Sequence, residues 1–438
     1  MKRLSGPRLA TAAAASIISL AMVACGGGTQ PGGSSSVSGD AVASAWNLTG
    51  GSEPMFRASF EKWNSENPDA QIATEWFAND AYKEKIRTAV GSGNAPTLIY
   101  SWAGGTLADY SRNESVVSLD GAVDDLLARV IPSVAQNGQV DGVTYAVPNT
   151  QSQPVVLYYN AAVLEEAGVA VPTTYDELLT AAGELQSQGI IPMALAGGSR
   201  WPELMWIQYL TDRIGGPEVF QAILDGEPGA WSDPAVIEAT TKIQELVDAG
   251  VFGDTFGSVV ADANADVALV HTGKAAMLLQ GSWVYPTFLS DAPDMVAAGD
   301  LGYATFPAVE GGAGDPANIV GNPSNFWSVS ASASQEAQQV AMDFLATEVL
   351  SDDAVDELLA IGTVPPIAGL EETIADNDNA EYLSFVYGMV RDAPHFQLSW
   401  DQALPADAAQ ELLNNLSQLF LGEITPQQFS DNMNATLG

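Results

Sequence analysis

The sequence predicts an α/β protein of two lobes with a ligand cleft between them. The chain has 438 residues, 47% of them hydrophobic, which is more than a single hydrophobic core usually serves. Strand-type and helix-type patterns alternate along most of it. In Val143–Asn160, two apolar runs flank the uncharged polar stretch Asn149–Gln153, which Pro148 and Pro154 bracket. Because proline disfavours helix, we interpret this stretch as an extended crossing between two sheets, although a solvated interdomain linker fits the same pattern.

The N-terminal segment has the order of a secretory signal. A basic start is followed by an apolar run over residues 9–23, too short for a comfortable membrane span, and then by Ala24 and Cys25. The letters around the cysteine, MVACG, resemble a bacterial lipobox, in which the cysteine is lipidated and becomes the mature N-terminus. We therefore expect a lipoprotein signal peptide over 1–24, lipidation at Cys25 and a flexible Gly/Ser-rich tether over 25–40.

The charge balance argues against several kinds of partner. There are 54 acidic residues against 15 Lys and Arg, which gives a formal net charge of −39. Such a surface repels nucleic acid and anionic lipid, so no nucleic-acid partner is expected. Membrane contact is expected only through the N-terminal lipid. Because Cys25 is the single cysteine, an internal disulfide is excluded.

The first folded segment alternates between strands and helices. Val42–Leu48 is predicted to be a strand that turns into a helix with Ser52 as its N-cap. Phe56, Phe60 and Trp63 recur at helical spacing and should face a core. The next predicted elements are a strand over Ile72–Phe77, a helix over Tyr82–Val90 and a buried strand over Thr97–Trp102. Ligands of mostly parallel sheets lie beyond the carboxyl ends of the strands, which is where Trp102 is placed.

The rest of the chain carries further start signals for helices and further strand patterns. Capping boxes begin helices at Thr174 and Thr425, and Ser232 is predicted to cap another. The remaining predicted elements are a short buried run over Ala275–Leu279, strands over Leu301–Phe306 and Phe326–Ser330, a helix that includes Trp206 and Tyr209, and a helix over Gln335–Thr347. The pair Pro365 and Pro366 predicts another crossing between the lobes.

Several segments, in this order along the chain, resemble the family 1 extracellular solute-binding proteins. These proteins are the lipid-anchored ligand receptors of ATP-driven carbohydrate importers. Besides the lipobox, the segments are AYKEKIRTAVGSGNAPTLIYSW, YAVPNTQSQPVVLYYNAAVLEEAGV with VPTTYDEL, HTGKAAMLLQGSWVYPTF and GNPSNFWSVSASAS. The segments WPELMWIQYLTDRIGGPEVF and SWDQALPADAAQELLNNLSQLFLGEITPQQFSDNMNATLG are most similar to actinobacterial receptors for xylobiose and xylo-oligosaccharides.

The resemblance implies a class II periplasmic-binding-protein-like fold and a transport role. Lobe 1 would comprise residues 41–148 and 320–362, and lobe 2 residues 149–319 and 363–438. The implied crossings are Val143–Gln153, Pro307–Asn325 and Ala360–Gly369. The protein would be a monomer on the extracellular face of the membrane, without cofactor, metal or enzymatic activity. It would bind a neutral oligosaccharide and deliver it to the permease subunits of the importer.

Candidate ligand contacts follow from matching positions and from side-chain chemistry, because sugar faces stack on aromatic rings and hydroxyl groups bond to planar polar groups. Trp283 matches the stacking tryptophan of the maltose-type members, and Trp400 and Trp102 match other aromatic cleft positions. Ser52 and Glu53 match the first strand-to-helix turn, and Asn149 and Gln151 match the hinge. On chemistry we add Arg200, Trp201, Asn322 and Asn325, and Asp401 beside Trp400 completes the set.

Other interpretations stay open. A lone tryptophan is often a core residue, and Trp63, Trp76, Trp206 and Trp231 are predicted to be structural, whereas for Arg200 and Trp327 both roles fit. A secreted glycoside-active enzyme is the rival class, although paired acids mean little among so many carboxylates. An adhesion module would need repeats or aromatic strips, and neither is seen. Asp376–Asn379 is predicted to be a solvated acidic turn rather than a calcium loop.

Overall fold

A computed structural model describes residues 41–437. The predicted signal peptide, the tether and Cys25 lie outside these residues. The strands are β1 Ala43–Leu48, β2 Ile72–Phe77, β3 Leu98–Ser101, β4 Gln139–Val140, β5 Val143–Thr144, β6 Val147–Pro148, β7 Gln153–Asn160, β8 Ile191–Ala194, β9 Ala275–Gly281, β10 Leu301–Ala304, β11 Ile319–Asn322, β12 Phe326–Val329 and β13 Phe396–Leu398.

Helices cover much of the rest of the chain. They are α1 Glu53–Glu66, α2 Asn79–Gly91, α3 Gly105–Arg112, α4 Asp124–Leu127, α5 Pro132–Ala135, α6 Ala161–Ala167, α7 Tyr175–Ser187, α8 Leu204–Gly215, α9 Glu218–Leu224, α10 Pro234–Asp248, α11 Ala265–His271, α12 Tyr285–Asp291, α13 Pro293–Ala298, α14 Gln335–Thr347, α15 Asp352–Ala360, α16 Glu371–Ala375, α17 Ala380–Asp392, α18 Trp400–Ala403, α19 Ala406–Phe420 and α20 Pro426–Asn434. Within residues 41–437, no helix combines the length and the apolar character that a membrane crossing requires.

Two sheets define the two lobes, which confirms the predicted α/β class. The lobe 1 sheet has five strands in the order β2-β1-β3-β12-β6, with β1 parallel to β2 and β3 and with β12 antiparallel to β3. The lobe 2 sheet has six strands in the order β13-β11-β7-β9-β8, with β10 also paired to β7. The carboxyl ends of β1 and β3 and of the parallel pair β8 and β9 lead into segments that line the space between the sheets.

The chain crosses between the two sheets at Asn149–Gln153 and again between β11 and β12. The Asn149–Gln153 stretch runs from β6 in the first sheet to β7 in the second, as predicted. The return crossing lies between β11 and β12, because Gly321 and Asn322 pair with β7. Residues 320–322 therefore belong to the lobe 2 sheet and not to lobe 1, where the predicted boundary put them. Near the last predicted crossing, Ser152 N–H donates to the carbonyl of Val364 at 2.8 Å.

Helix starts agree with the sequence in part. The capping boxes at Thr174 and Thr425 are both formed. Ser52 makes no capping hydrogen bond, because its hydroxyl is engaged elsewhere, in the cleft. The cap of α10 is Asp233, which accepts from Ala235 N–H at 2.8 Å, whereas the Ser232 hydroxyl bonds to Ser430 at 2.8 Å.

The lobe cores contain most of the tryptophans that we predicted to be structural. Trp206 and Trp231 are buried in lobe 2, and Trp63 is buried in lobe 1. Trp76 differs, because it is half-buried on the edge strand β2 with the Arg57 guanidinium 4.1 Å above its ring. Trp327 lies fully buried in the lobe 1 core, packed edge-to-face against Phe56, Phe60 and Tyr100, which settles its role as structural.

Candidate functional site

A large cleft lies between the two sheets. Its volume is about 810 Å³, and residues from both lobes and from the crossings line it. Most of the predicted contact residues are among them: Ser52, Glu53, Trp102, Gln151, Trp201, Trp283, Asn322, Asn325 and Asp401. Segments far apart in the sequence therefore meet in one cavity, at the position that the parallel strand ends predict.

Two indole rings from lobe 2 form one wall of the cleft. Trp201 and Trp283 have ring centroids 5.9 Å apart and ring planes inclined by 54°. Both side chains are half-buried, and both pack on the lobe 2 core. The indole Nε1 of Trp201 has no hydrogen-bond partner among the described residues. The pair thus offers a bent aromatic surface to the cleft.

The turn that carries Trp283 is fixed by buried hydrogen bonds. It follows β9, whose residues are all buried. The Ser282 hydroxyl donates to the carbonyl of Ser152 at 3.1 Å, which ties the turn to the first crossing. The Tyr382 hydroxyl donates to the carbonyl of Ser282 at 3.2 Å. Buried anchors on both sides of Ser282 hold the next residue, Trp283, toward the cleft.

Polar groups of the crossings form the floor of the cleft. The hydroxyls of Ser52 and Thr150 both donate to Gln151 Oε1, the former at 3.1 Å. Asn325 Nδ2 donates to the Tyr100 hydroxyl at 2.6 Å, and burial raises the pKa of Tyr100, so this phenol stays neutral. The Oδ1 atoms of Asn322 and Asn325 are buried without a hydrogen-bond partner among the described residues. Both residues line the cleft, where amide groups can bond to the hydroxyl groups of a ligand.

Acidic side chains dominate the charged lining. Glu53 is paired with Arg57 at 2.6 Å along α1. Asp266 is buried, accepts from Gln280 Nε2 at 2.9 Å, and burial raises its pKa. Asp262 Oδ2 accepts a hydrogen bond from the backbone N–H of Asp80, across the cleft, at 3.0 Å. Burial raises the pKa of Asp262 as well.

Trp102 lines the cleft in a different way from the other two indoles. It is buried against the edges of Tyr82 and Tyr100. The ammonium of Lys83 lies 5.0 Å from the centroid of its ring and 3.6 Å from Asp401 Oδ2. A cation therefore covers Trp102, so this ring is less open to stacking than Trp201 or Trp283.

The structure does not bring Trp400, Asn149 or Arg200 to the cleft. Trp400 is 1% exposed and stacks on Phe220 in the lobe 2 core, because α18 turns its first residue inward. Asn149 is buried in the crossing, where its backbone N–H donates to the carbonyl of Asn325. Arg200 is exposed and bonds to Asn414 Oδ1 at 2.9 Å.

Sequence reasoning also missed several lining residues. They are mainly polar and include Lys83, Gln153, Gln208, Asp262, Asn264, Asp266 and Gln280. Gln280 directly precedes the Gly281-Ser282-Trp283 turn, so the strand-end rule could have found it. Lys83 and Gln208 lie on helices, where nothing in the local pattern distinguishes a cleft residue from a solvated one. Within residues 41–437, no group of three or more His, Cys, Asp and Glu side chains is arranged to hold a metal ion.

A family model covers most of the chain. The model for bacterial extracellular solute-binding proteins matches residues 49–352, a range that includes most strands of both sheets, all but β1 and β13, and most of the cleft. The chain belongs to this family. Residues 353–437, which add Ser399, Asp401 and Gln402 to the cleft, lie outside the matched range.

Curated relatives match this solute-binding protein over part of their length. An uncharacterized ABC transporter extracellular-binding protein of Pyrococcus horikoshii is 25% identical over 280 residues, covering 61% of this chain and 62% of the relative. A xylose/arabinose-binding protein of Haloferax volcanii is 28% identical over 254 residues, covering 55% and 53%. The chain thus spans about half to three fifths of the length of these relatives.

Solved structures match the whole of the two-lobed body. A structure from work on xylan utilization by the thermophilic bacterium Caldanaerobius polysaccharolyticus has a TM-score of 0.82 and 30% identity, covering 90% of this chain and 100% of the other. A chitin oligosaccharide binding protein has a TM-score of 0.81 and 22% identity, covering 91% and 98%. The likeness to the chitin oligosaccharide binding protein shows the shared fold alone.

Proposed function

We propose that this protein is the receptor of an ABC importer and binds a neutral oligosaccharide in the cleft between its lobes. Xylobiose and xylo-oligosaccharides are the first candidates. The observation that carries this proposal is the bent pair of Trp201 and Trp283, with unpaired hydrogen-bonding atoms of Trp201, Asn322 and Asn325 around the same cavity.

The physical chemistry of the lining suits such a ligand. The apolar faces of pyranose rings pack on indoles, and their hydroxyl groups exchange hydrogen bonds with amides and phenols. The inclination of 54° between Trp201 and Trp283 fits neighbouring sugar units that are twisted relative to each other. A cavity of about 810 Å³ has room for more than one such unit.

The choice of xylo-oligosaccharides is supported by two likenesses. The structural neighbour at 30% identity comes from work on xylan utilization, and a curated relative is a xylose/arabinose-binding protein. The segments 201–220 and 399–438 also resemble receptors for xylobiose and xylo-oligosaccharides. Receptors of this fold for other plant-derived oligosaccharides are the nearest alternative.

The cellular arrangement belongs to the same proposal. A monomer anchored through lipidated Cys25 would capture the sugar outside the cell, close its lobes at the crossings and deliver the sugar unaltered to permease subunits. Only its N-terminal lipid would contact the membrane. Trp283, Trp201, Gln151, Ser52, Glu53, Asn322, Asn325, Asp401 and Trp102 are the proposed contact or cleft residues.

A thermal-shift screen with a product assay tests the proposal against the enzyme alternative. Purified protein is incubated with xylo-, cello-, malto- and galacto-oligosaccharides. A ligand-dependent rise in melting temperature with no change in the sugar supports the receptor. Release of shorter sugars would instead identify a glycoside-active enzyme, and no rise with any of the four series would contradict the proposed ligand class.

A further inference from the structure

We propose that Asp401 is a specificity-determining residue that, by holding Lys83 across the cleft, makes the site select uncharged saccharides over those that carry a carboxylate. This inference rests on the proposed function, because it concerns which saccharides the same cleft accepts. It gives Asp401 an electrostatic role instead of the direct sugar contact predicted from the sequence.

The Lys83–Asp401 pair joins the two lobes. Lys83 lies on α2 of lobe 1, and Asp401 lies on α18, beside the lobe 2 sheet. Lys83 Nζ is 3.6 Å from Asp401 Oδ2, and both residues line the cleft. The ammonium also lies over the Trp102 ring. The ammonium of Lys83 is therefore already paired with a carboxylate and an aromatic face before a ligand enters the cleft.

Asp401 is held firmly in the position that engages Lys83. Its Oδ1 accepts from the Ser399 hydroxyl at 2.8 Å, and its Oδ2 accepts from Gln402 Nε2 at 2.8 Å. Ser399 in turn accepts from Gln208 Nε2 at 3.2 Å. The Asp401 side chain is only 8% exposed. A carboxylate fixed by hydrogen bonds on both oxygens has little freedom to release its partner cation to a ligand.

The rest of the charged lining would repel an anion. Among the described residues that line the cleft, Lys83 is the one Lys, Arg or His, whereas Glu53, Asp262 and Asp266 add further acids. The cation that pairs with Glu53, Arg57, is not part of the lining. A ligand carboxylate that entered the closed cleft would lose water without gaining a free positive partner, which is unfavourable. A neutral saccharide loses only the hydrogen bonds between its hydroxyl groups and water, and amide groups of the cleft replace these bonds.

The mechanism predicts a specific gain in the Asp401→Asn variant. Asparagine keeps the shape and one acceptor of aspartate but no longer neutralises Lys83. The freed ammonium then faces the cavity beside Trp102 and can pair with a ligand carboxylate. The change should therefore favour acidic saccharides over neutral ones.

Calorimetry with a matched pair of ligands tests this inference. The pair is xylotriose and the same trisaccharide carrying one glucuronic acid substituent. Wild-type protein should bind the neutral sugar at least about 10-fold more tightly than the acidic one, because an uncompensated charge costs more than ~1.4 kcal/mol. In Asp401→Asn the acidic-to-neutral affinity ratio should rise at least about 10-fold over wild type.

Two further variants separate this role from a general perturbation of the fold. The double variant Lys83→Met/Asp401→Asn should lose the gain, because no cation remains to receive the carboxylate. Lys85→Met removes a cation two residues away that lies over Trp46 and Phe77 outside the cleft lining, and it should leave the ratio unchanged.

The possible failures are distinguishable. If wild-type protein binds both sugars equally, or if Asp401→Asn does not change the ratio, the inference is overturned while the saccharide-receptor function stands. If wild-type protein binds no saccharide in the screen, the proposed function fails first. A gain that persists in the double variant would show that Lys83 is not the responsible group.

Discussion

Gly281 lies directly beneath the indole of Trp283. A methyl group built on Gly281 would lie 1.9 Å from Cζ3 of that ring, far inside van der Waals contact. The ring can therefore lie over the backbone at the end of β9 only because residue 281 has no side chain. The position of the aromatic wall of the cleft therefore depends on Gly281, although this residue contributes no side-chain atom to the wall.

Gly281→Ala should weaken saccharide binding at least about 10-fold, a loss of ~1.4 kcal/mol, because the indole must leave its position. Calorimetric titration measures the loss. Gly183→Ala is the matched control: Gly183 lies inside α7 with no atom within 4 Å of a built methyl group, so binding should not change. Equal affinity of Gly281→Ala and wild type would show that the observed ring position is not needed for binding.

Trp400→Ala should affect stability rather than specificity. Its ring is stacked on Phe220 with centroids 4.3 Å apart and meets Trp231 edge-on, so truncation leaves a large cavity in the lobe 2 core. We expect the free energy of unfolding to fall by about 3–5 kcal/mol in denaturant titration. The folded fraction should still bind ligand. A stable variant with lost affinity would restore Trp400 as a ligand contact, as the sequence had suggested.

The outcomes for Trp283 and Trp400 show how much of the site could be predicted from the sequence. Both follow a polar turn at the end of a strand, and both resembled cleft positions, yet only Trp283 lines the cavity. The direction of each ring depends on neighbours distant in sequence: Gly281 and Tyr382 direct Trp283, whereas Phe220 and Trp231 enclose Trp400. Most strands, the Asn149–Gln153 crossing and the capping boxes at Thr174 and Thr425 follow from local patterns and were predicted, whereas strand order depends on pairing between distant segments and was not. The side of a helix that faces the cleft, as for Lys83, depends on how two lobes pack.

The buried carboxyl group of Glu203 is expected to make the free energy of unfolding depend on pH. It is 1% exposed, its Oε2 has no partner among the described residues, and burial raises its pKa well above the ordinary value. Because the folded-state pKa exceeds the unfolded one, the stability gained from the protonated form is present below the unfolded pKa. That stability is lost as pH rises through the folded pKa.

Glu203→Gln should therefore raise the melting temperature at pH 7 by about 2 °C or more and change it little at pH 4. Differential scanning fluorimetry across this range measures the difference. Glu227→Gln, at an exposed position, should show no such dependence. A Glu203→Gln variant that is destabilised equally at both pH values would indicate that the buried carboxylate is paired in the folded protein.

Asp262 provides a contact that forms only when the lobes are together. Helix α2 has Ala78 at its N-cap position with no side-chain cap, and the Asp80 N–H in its first turn donates to Asp262 from lobe 2. A cap of this kind contributes about 1 kcal/mol, and here it would act only in the closed form. Asp262→Ala should thus weaken ligand binding about 5-fold. Asp254→Ala, at an exposed position nearby in sequence, should not; equal effects of the two changes would argue for bulk charge instead of capping.

The most direct test of the account is calorimetric titration of wild-type protein and the Trp283→Ala variant with the oligosaccharide that gives the largest thermal shift. We predict one site per chain in the wild type and a loss on the order of 2 kcal/mol, about 30-fold, in Trp283→Ala, with unchanged circular dichroism. An unchanged dissociation constant in that variant would contradict the assignment of the cleft wall formed by Trp201 and Trp283 as the saccharide site.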